Sequence, residues 1–228
     1  VICCDGKDNW RKKVFPEYKA NRRKNRENDP TDWKTLFELL HEMREDLTKY
    51  FPYKVMHVDS AEADDIIGVL TDHCEENHTL ILSSDKDFIQ LQKYKGVRQW
   101  SPLQKKFIVG DPVESLYDKT IRGDTGDGVP NILSSDDTLI TEGKRQTPVT
   151  KKKMELWRGK KPEDFCNESM LRNYHRNKTM VDLRETPESI RINIVNQYDS
   201  QGAGDRSQLL NYFVDKRLKN LMDVIDEF

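Results

Sequence analysis

The segment from Glu62 to Asp87 begins Glu62-Ala63-Asp64-Asp65, continues through an apolar run and ends Leu80-Ile81-Leu82-Ser83-Ser84-Asp85-Lys86-Asp87. The first acidic motif follows a predicted strand over 53–58 and opens a predicted helix. The second motif follows a predicted strand over 79–83. In an open α/β sheet, both motifs would lie at the edge where ligands bind. Carboxylates gathered there repel one another unless cations lie between them, so the pattern predicts hard divalent metals with oxygen ligands.

Composition narrows the class of protein. The chain has 228 residues, of which 34% are charged and 35% are apolar, and its formal net charge is -2. This length can form one large domain or two small ones. No apolar run reaches the ~20 residues that a membrane span needs. The four cysteines lack the spacing of a zinc site or a disulfide framework, which is typical of free thiols in a reducing cytoplasm.

The amino-terminal region adds an acid and a basic segment. Val1 to Cys4 is predicted to be a buried parallel strand, after which Asp5 is either another ligand at the same edge or only a turn residue. The following segment, 10–30, interleaves cations with aromatic residues. Cations neutralise phosphates and aromatic rings stack on unpaired bases, although a charge run is also typical of a solvated face.

The middle of the chain alternates helices and strands. Apolar residues at helical spacing predict an amphipathic helix over 32–50 that packs on the sheet. Two strands are predicted over 97–100 and 107–109, followed by a helix over 113–121.

The predicted helix over 113–121 runs into a third acidic motif. In Gly123-Asp124-Thr125-Gly126-Asp127-Gly128, two acids lie three residues apart among glycines that allow a sharp turn. A calcium-binding loop does not fit, because the twelve-residue ligand pattern of such loops is missing. Beyond this motif, a polar stretch with five basic residues is either a mobile loop or a second phosphate-contacting surface. Helices are predicted over 167–177, 187–198 and from 207 to the end.

Taken together, these motifs resemble the 5′ nuclease (flap endonuclease) family, which includes the 5′ nuclease domain of bacterial DNA polymerase I. Each motif alone is weak, but four of them in order with fitting separations are specific. They are Phe15-Pro16-Glu17-Tyr18-Lys19-Ala20-Asn21-Arg22, Glu62-Ala63-Asp64-Asp65, Ser84-Asp85-Lys86-Asp87-Phe88 and Gly123 to Asp127. A nearer likeness to a bacteriophage branch of the family is carried by Gln99 to Pro102, Glu142 to Arg145, Asn193 to Asn196 and Glu227-Phe228.

The resemblance implies a PIN-like α/β fold, with a mainly parallel central sheet flanked by helices. It also implies a helix-turn-helix-like element at 124–131 and a helical carboxyl-terminal region. The implied domains are a metal-binding nuclease core over 1–123, which includes the basic arch segment 10–30, and a carboxyl-terminal region over 124–228.

The resemblance further implies two divalent ions, Mg²⁺ with Mn²⁺ as the alternative, and hydrolysis of phosphodiester bonds. The ligands would be Asp5, Glu62, Asp64, Asp65 and Asp85 for one ion and Asp87, Asp124 and Asp127 for the other. Lys19 and Arg22 would steady the scissile phosphate, and Tyr18 would stack on a base. Further contacts with nucleic acid are expected from Arg11, Lys12, Arg23, Lys144, Arg145, Lys151, Lys152 and Lys153.

The implied activity is that of a 5′ to 3′ exonuclease and flap endonuclease on RNA/DNA and DNA/DNA duplexes. It would remove RNA primers during lagging-strand replication, as a monomeric phage protein in the host cytoplasm, without a membrane partner. A sliding clamp and a single-strand-binding protein are the implied protein partners.

Two departures from the family pattern leave alternatives open. Family members carry a further Asp on a strand before the position of Asp5, and no residue here corresponds to it. The glycine-rich hairpin that usually follows the third motif has no match at 132–141. One alternative is therefore a catalytically inactive, structure-specific DNA-binding module or a truncated fragment. Another, an Asp-x-Asp phosphatase on a similar sheet, leaves the basic segment unexplained.

Overall fold

A computed structural model describes residues 1–27, 29–74, 78–202 and 204–228, without the side chains of Arg23, Lys24, Asn25 and Glu27. Its strands are β1 (Ile2–Cys4), β2 (Val55–His57), β3 (Leu80–Leu82), β4 (Arg98–Ser101) and β5 (Lys106–Ile108). β1 pairs with β2 and β3 pairs with β4, both in parallel, while β5 pairs antiparallel with β4. The pairing is mainly parallel, as predicted. Across the described ranges, however, it forms two sheets and not one continuous sheet.

Helices make up most of the remaining structure. They are α1 (Trp10–Val14), α2 (Ala20–Glu27), α3 (Trp33–Tyr50), α4 (Ala63–His73), α5 (Pro112–Arg122), α6 (Lys151–Trp157), α7 (Pro162–Phe165), α8 (Glu168–Val181), α9 (Glu188–Ser200), α10 (Leu209–Asp215) and α11 (Lys219–Met222). Short 3₁₀ helices span Lys86–Lys93, Asp136–Leu139, Leu183–Glu185 and Ile225–Glu227.

α4 lies at the centre of the fold because its sequence defines both its start and its buried face. The Glu62 amide donates to Asp65 Oδ2 at 2.9 Å, so the first acidic motif itself caps the helix. The apolar residues that follow pack against β2 and α9, with Ile66 fully buried and Val69 nearly so. The motif is thereby held at the carboxyl edge of β1 and β2.

The prediction that the helix over 32–50 packs on the sheet is confirmed only in part, because α3 contacts β2 but leaves most of its apolar residues exposed. In α3 the apolar residues Leu36, Phe37, Leu39, Leu40 and Met43 are 37–58% exposed. Packing begins only at the carboxyl end of α3, where Leu47 and Tyr50 meet a separate cluster that includes Phe213. The physical reason is that α4 and α9 already cover the core residues of β2 that α3 was expected to cover.

The prediction that the first strand is buried is wrong. All three residues of β1 are only half-buried. In β3, Leu80 and Leu82 are 54% and 66% exposed. The reason is that a cavity of 740 Å³ borders both strands.

Candidate active site

The acidic motifs converge, as the sheet-edge argument predicts. Asp5 follows β1, Glu62 and Asp64 open α4, and Asp85 and Asp87 follow β3. Asp5 Oδ1 accepts a hydrogen bond of 2.8 Å from the Ala63 amide, which ties the first strand to the helix start. A narrow cavity is lined by Arg11, Tyr18, Glu62, Asp64, Asp87, Asp124 and Asp127.

A second opening adjoins this acidic cavity. It is a groove of 660 Å³ that shares Glu62 with the acidic cavity and is also lined by Asp5, Lys12, Lys19 and Arg22. Carboxylates and cations therefore border one continuous region of the surface.

Backbone geometry brings the third acidic motif into the same place. Gly123 has φ +71°, a conformation that favours glycine, and Asp124 and Val129 exchange backbone hydrogen bonds of 2.8 and 2.7 Å. The Asp127 amide donates to Asp124 Oδ1 at 3.1 Å, and the Lys19 amide donates to the Asp127 carbonyl at 2.7 Å. The loop is thus joined to the start of the basic segment.

Four cations pair with the acids: Arg11, whose Nη1 lies 3.0 Å from Glu62 Oε2, and three further residues. The Lys19 ammonium pairs with Glu62 and lies 3.5 Å from Asp127 Oδ2, and Arg22 Nη2 lies 2.6 Å from Asp127 Oδ1. Lys119 lies between Asp87 and Asp124, with Nζ 2.8 Å from Asp124 Oδ2. Sequence reasoning missed Lys119. The available signal was its place in the last turn of α5, five residues before Asp124.

Asp64 is the acid of the cavity that no cation contacts directly in the described part of the chain. Burial, together with the nearby carboxylates of Asp85 and Glu62, raises the pKa of Asp64 to about 7. Among the described residues, Asp64 has no hydrogen-bond or ion-pair partner. Oxygen donors with excess negative charge are what Mg²⁺ and Mn²⁺ bind.

The donor set therefore fits a divalent ion in chemistry and charge. Among the described residues, no group of three or more aspartate, glutamate, histidine or cysteine side chains is close enough together to hold one metal ion. The ammonium groups of Lys19 and Lys119 lie between the carboxylates instead. A metal ion held by these carboxylates would take the place of the two ammonium groups.

Asp65 does not face the acidic cavity. It is fully buried and accepts hydrogen bonds from Arg11, Trp10 and Thr186. This corrects two predictions, because Asp65 is not placed to be a metal ligand and Arg11, which is 2% exposed, is not placed to contact nucleic acid. Helical spacing predicts that Glu62 and Asp65 share one side and that Asp64 points elsewhere. The structure contradicts this, because Glu62 and Asp64 line the acidic cavity and Asp65 lies apart.

Tyr18 is also placed differently from the prediction. Its ring is 3% exposed and therefore cannot stack on a base. The hydroxyl lies 2.9 Å from Glu62 Oε2 and 2.9 Å from Asp127 Oδ2. Burial and the carboxylates of Asp127 and Glu62 raise the pKa of Tyr18, so the hydroxyl keeps its proton and donates.

The remaining basic residues lie in different places. Lys12 is exposed at the groove, whereas the side chain of Arg23 lies outside the described residues. Lys144, Arg145, Lys151, Lys152 and Lys153 border neither the groove nor the acidic cavity. Lys144 pairs with Asp137, and Lys151 to Lys153 form the first turn of α6.

Comparisons with known proteins agree with this architecture. Residues 1–118 match the family model of the 5′-3′ exonuclease N-terminal resolvase-like domain, and residues 110–228 match the model of the T4 RNase H C-terminal region. The ribonuclease H of enterobacteria phage T4 is 35% identical over an alignment of 239 positions, which covers 100% of this chain and 78% of the relative. The predicted likeness to a bacteriophage branch is confirmed.

Solved structures show the same fold. The T5 D15 protein co-crystallised with metal ions has a TM-score of 0.61 at 18% identity, covering 94% of this chain and 83% of that chain. A pseudo-enzyme-product complex of the T5 D15 flap endonuclease with DNA and metal ions also has a TM-score of 0.61, covering 97% of this chain and 82% of that chain. At 18% identity these likenesses support the fold, and the predicted PIN-like α/β class is confirmed.

No helix in the described part of the chain is both long and apolar enough to cross a bilayer.

The family resemblance also establishes the class of reaction. The relatives are nucleases, so the prediction of a 5′ nuclease that hydrolyses phosphodiester bonds is confirmed at the level of the family. The chain therefore belongs to the 5′-3′ exonuclease family of nucleases, with a carboxyl-terminal region of the T4 RNase H type.

Proposed function

We propose that the acidic cavity binds two divalent ions, Mg²⁺ or Mn²⁺, and that the adjoining groove holds a 5′-ended strand for cleavage. The substrates are 5′ flaps, nicked or gapped duplexes and RNA/DNA hybrids, and the process served is primer removal on the lagging strand. Cleavage leaves 5′-phosphorylated products and a 3′-hydroxyl end. The proposed place of action is the cytoplasm of a phage-infected bacterium.

A single observation carries this proposal: the cations of the groove reach directly into the acidic cavity. Lys19 pairs with Glu62 and Arg22 pairs with Asp127, while both cations also border the groove. A phosphate that displaces these ion pairs gains two charge-assisted hydrogen bonds and frees two carboxylates. When the phosphate enters, Lys19 and Arg22 leave Glu62 and Asp127. The same two side chains therefore bind the substrate and free the carboxylates for metal.

Each residue then has a proposed role. Asp5, Glu62, Asp64 and Asp85 hold one ion, and Asp87, Asp124 and Asp127 hold the other. When bound, the ions supply electrostatic stabilisation of the charge that develops on the phosphoryl oxygens. Lys19 and Arg22 orient the phosphate, and the Tyr18 hydroxyl keeps Glu62 and Asp127 at a fixed separation. Arg11 and Asp65 hold the first acidic motif in position.

The carboxyl-terminal region has a different proposed role. We assign duplex contact to the exposed cations Lys144, Arg145, Lys151 and Lys152, with Lys153 beside them. The proposed boundary between the nuclease core and this region lies at 123–124, close to the overlap of the two family models. A monomeric state and docking to a sliding clamp or a single-strand-binding protein remain predictions.

The test is cleavage of a duplex with a 5′-labelled flap by this 228-residue chain, with Mg²⁺ and with EDTA. We expect short 5′ products in Mg²⁺ alone. Asp127→Asn should abolish cleavage and leave flap binding largely intact. The matched control is Asp118→Asn, which changes an exposed aspartate on α5 that pairs with Arg122.

The outcomes separate the alternatives. Flap binding without cleavage in Mg²⁺ would favour the catalytically inactive binding module. Unchanged turnover in Asp127→Asn, or equal losses in both variants, would remove the acidic cavity from the reaction.

A further inference from the structure

The helices that carry the acids also enclose a second cavity, which we call the rear cavity. It has a volume of 380 Å³ and lies between α4, α5, α8, α9 and the 3₁₀ helices Lys86–Lys93 and Leu183–Glu185. Among the described residues, it shares only Leu183 with the acidic cavity. Cavities that hold small molecules measure about 300–1,000 Å³, so the rear cavity is large enough for one ligand of modest size.

Most of the lining of the rear cavity is apolar or aromatic. Leu91 and Leu183 are almost fully buried, and Leu116 is half-buried. The wall also includes three half-buried tyrosines, which are Tyr94, Tyr117 and Tyr174. Aromatic rings and aliphatic side chains of this kind form a surface against which a planar base can stack.

The charged part of the lining is basic. It contains four cations and one carboxylate, an excess of three positive charges, and these residues are Lys93, Lys178, Arg184, Arg191 and Asp72. The side chains of Lys178 and Arg184 are 42% and 56% exposed, so both cations lie at the mouth of the cavity. Cations at the mouth of an apolar cavity attract an anionic ligand.

The ion pairs of these two cations leave donors for such a ligand. Lys178 pairs with Glu185 at 3.0 Å and Arg184 pairs with Asp182 at 2.6 Å, and neither acid lines the rear cavity. Among the described residues, the side-chain hydrogen bonds of Arg184 use Nε and Nη2, so the N–H groups of Nη1 are available. The Lys178 ammonium has three donors. A phosphate can therefore bond to both cations without breaking either ion pair.

We infer that the rear cavity binds a nucleoside 5′-monophosphate. Its base lies among the leucine and tyrosine side chains, and its phosphate lies at Lys178 and Arg184. This class of ligand joins a planar, weakly polar body to a compact anion, and the lining offers one surface for each part. A free phosphate would leave the apolar wall uncovered, and an uncharged nucleoside would leave the cations unused. The inference does not depend on the proposed nuclease function.

The test is isothermal titration calorimetry of the full chain with adenosine 5′-monophosphate. The buffer contains EDTA and no nucleic acid, so the result does not depend on nuclease activity. Adenosine and inorganic phosphate are the matched probes, because each contains one half of the ligand. We expect saturable binding of the nucleotide and about tenfold or more weaker binding of each half.

Three variants locate the binding. Val113→Asp places a carboxylate at the rear cavity and should weaken nucleotide binding about tenfold or more. Val113 is 78% exposed in the first turn of α5, where an acid suits the helix dipole, so the fold should stay intact, which circular dichroism verifies. Val109→Asp is the control, since Val109 is 85% exposed and lies outside the rear cavity. Lys178→Gln should weaken binding of the nucleotide but not of adenosine.

Arg22→Ala distinguishes the rear cavity from the groove, which also contains cations that could hold a phosphate. Nucleotide binding that is weakened by Val113→Asp and Lys178→Gln, and unchanged in Val109→Asp and Arg22→Ala, would support the inference. Absence of saturable binding, or equal affinities for the nucleotide and adenosine, would overturn it. Binding that is weakened by Arg22→Ala and not by Val113→Asp would place the nucleotide in the groove, and the assignment to the rear cavity would then be wrong.

Discussion

Arg11 and Asp65 form a bidentate ion pair inside the protein, with Nη2 2.8 Å from Oδ1 and Nη1 2.9 Å from Oδ2. The Arg11 guanidinium also donates to Glu62 Oε2 at 3.0 Å and, through Nε, to the Met180 carbonyl at 2.9 Å. One side chain thus joins α1, the first acidic motif and the end of α8. Arg11 was predicted to contact DNA and Asp65 to bind metal. In the structure the two side chains neutralise each other instead.

Removal of Arg11 should therefore destabilise the fold. Arg11→Ala leaves the Asp65 carboxylate buried without its main partner, which costs about 3–5 kcal/mol in the free energy of unfolding. Urea unfolding in EDTA measures this loss. Lys12→Ala, at the exposed neighbouring position, should change the free energy by no more than about 0.5 kcal/mol. Equal costs for the two variants would contradict the supporting role of Arg11.

Asp64 should make the metal-free protein less stable as the pH rises. The pKa of Asp64 is about 7 in the folded chain, against an ordinary value of 3.8 for an aspartate side chain. Between these values the folded state binds a proton that the unfolded state releases, so the free energy of unfolding falls with rising pH. Asp64→Asn removes this dependence.

The gain from Asp64→Asn should grow from near zero at about pH 4 to about 2–4 kcal/mol at about pH 7. Urea unfolding in EDTA across this range measures it, with Asp118→Asn as the control. A difference between wild type and Asp64→Asn that stays constant with pH would show that Asp64 ionises normally.

Lys119 should compete with added metal. Its ammonium lies between Asp87 and Asp124, so Lys119→Met leaves two carboxylates facing each other without a cation. The variant should have a lower Tm than wild type in EDTA and a larger rise in Tm when Mg²⁺ is added. Thermal unfolding with increasing Mg²⁺ tests this, with Lys106→Met on β5 as the control. Equal rises in wild type and Lys119→Met would place the ion elsewhere.

The acidic motifs show why part of the site could be predicted from sequence. Their positions after strands and at a helix start are local properties, and the carboxyl ends of parallel strands meet at one edge. The burial of Asp65 could not be predicted in this way, because it depends on Arg11, which lies 54 residues earlier in the chain. The position of Tyr18 depends in the same way on Asp127.

The fold shows the same limit. The spacing of apolar residues identified α3 as a helix, and the structure confirms Trp33–Tyr50. Periodicity cannot tell which surface a helix covers, and the core residues of β2 were already covered by α4 and α9. The two separate sheets could not be predicted either, because strand pairing is a non-local property of the chain.

The exposed face of α3 leads to a stability prediction. Leu40 is 51% exposed, so Leu40→Ala should change the free energy of unfolding by about 0.5 kcal/mol or less. Phe213 is fully buried in the cluster at the end of α3, so Phe213→Ala should cost about 3–5 kcal/mol. Urea unfolding of both variants tests the packing. A large cost for Leu40→Ala would show that α3 packs along its length.

The basic side of the groove gives the last prediction. Lys19 approaches both Glu62 and Asp127, and its own amide is fixed by the Asp127 carbonyl, so its ammonium is held where a phosphate would meet the acids. Lys19→Ala should slow flap cleavage about 10–1000-fold at saturating substrate, because a fixed cation acts on charge that develops during the reaction. Binding of the flap should change much less, since the other groove cations Arg22 and Lys12 remain. Single-turnover cleavage and a binding titration in Ca²⁺ separate the two effects.

Lys12→Ala, at the exposed rim of the same groove, should weaken binding with little effect on the single-turnover rate. If the two variants behave alike, Lys19 contributes only charge to the groove and does not orient the scissile phosphate.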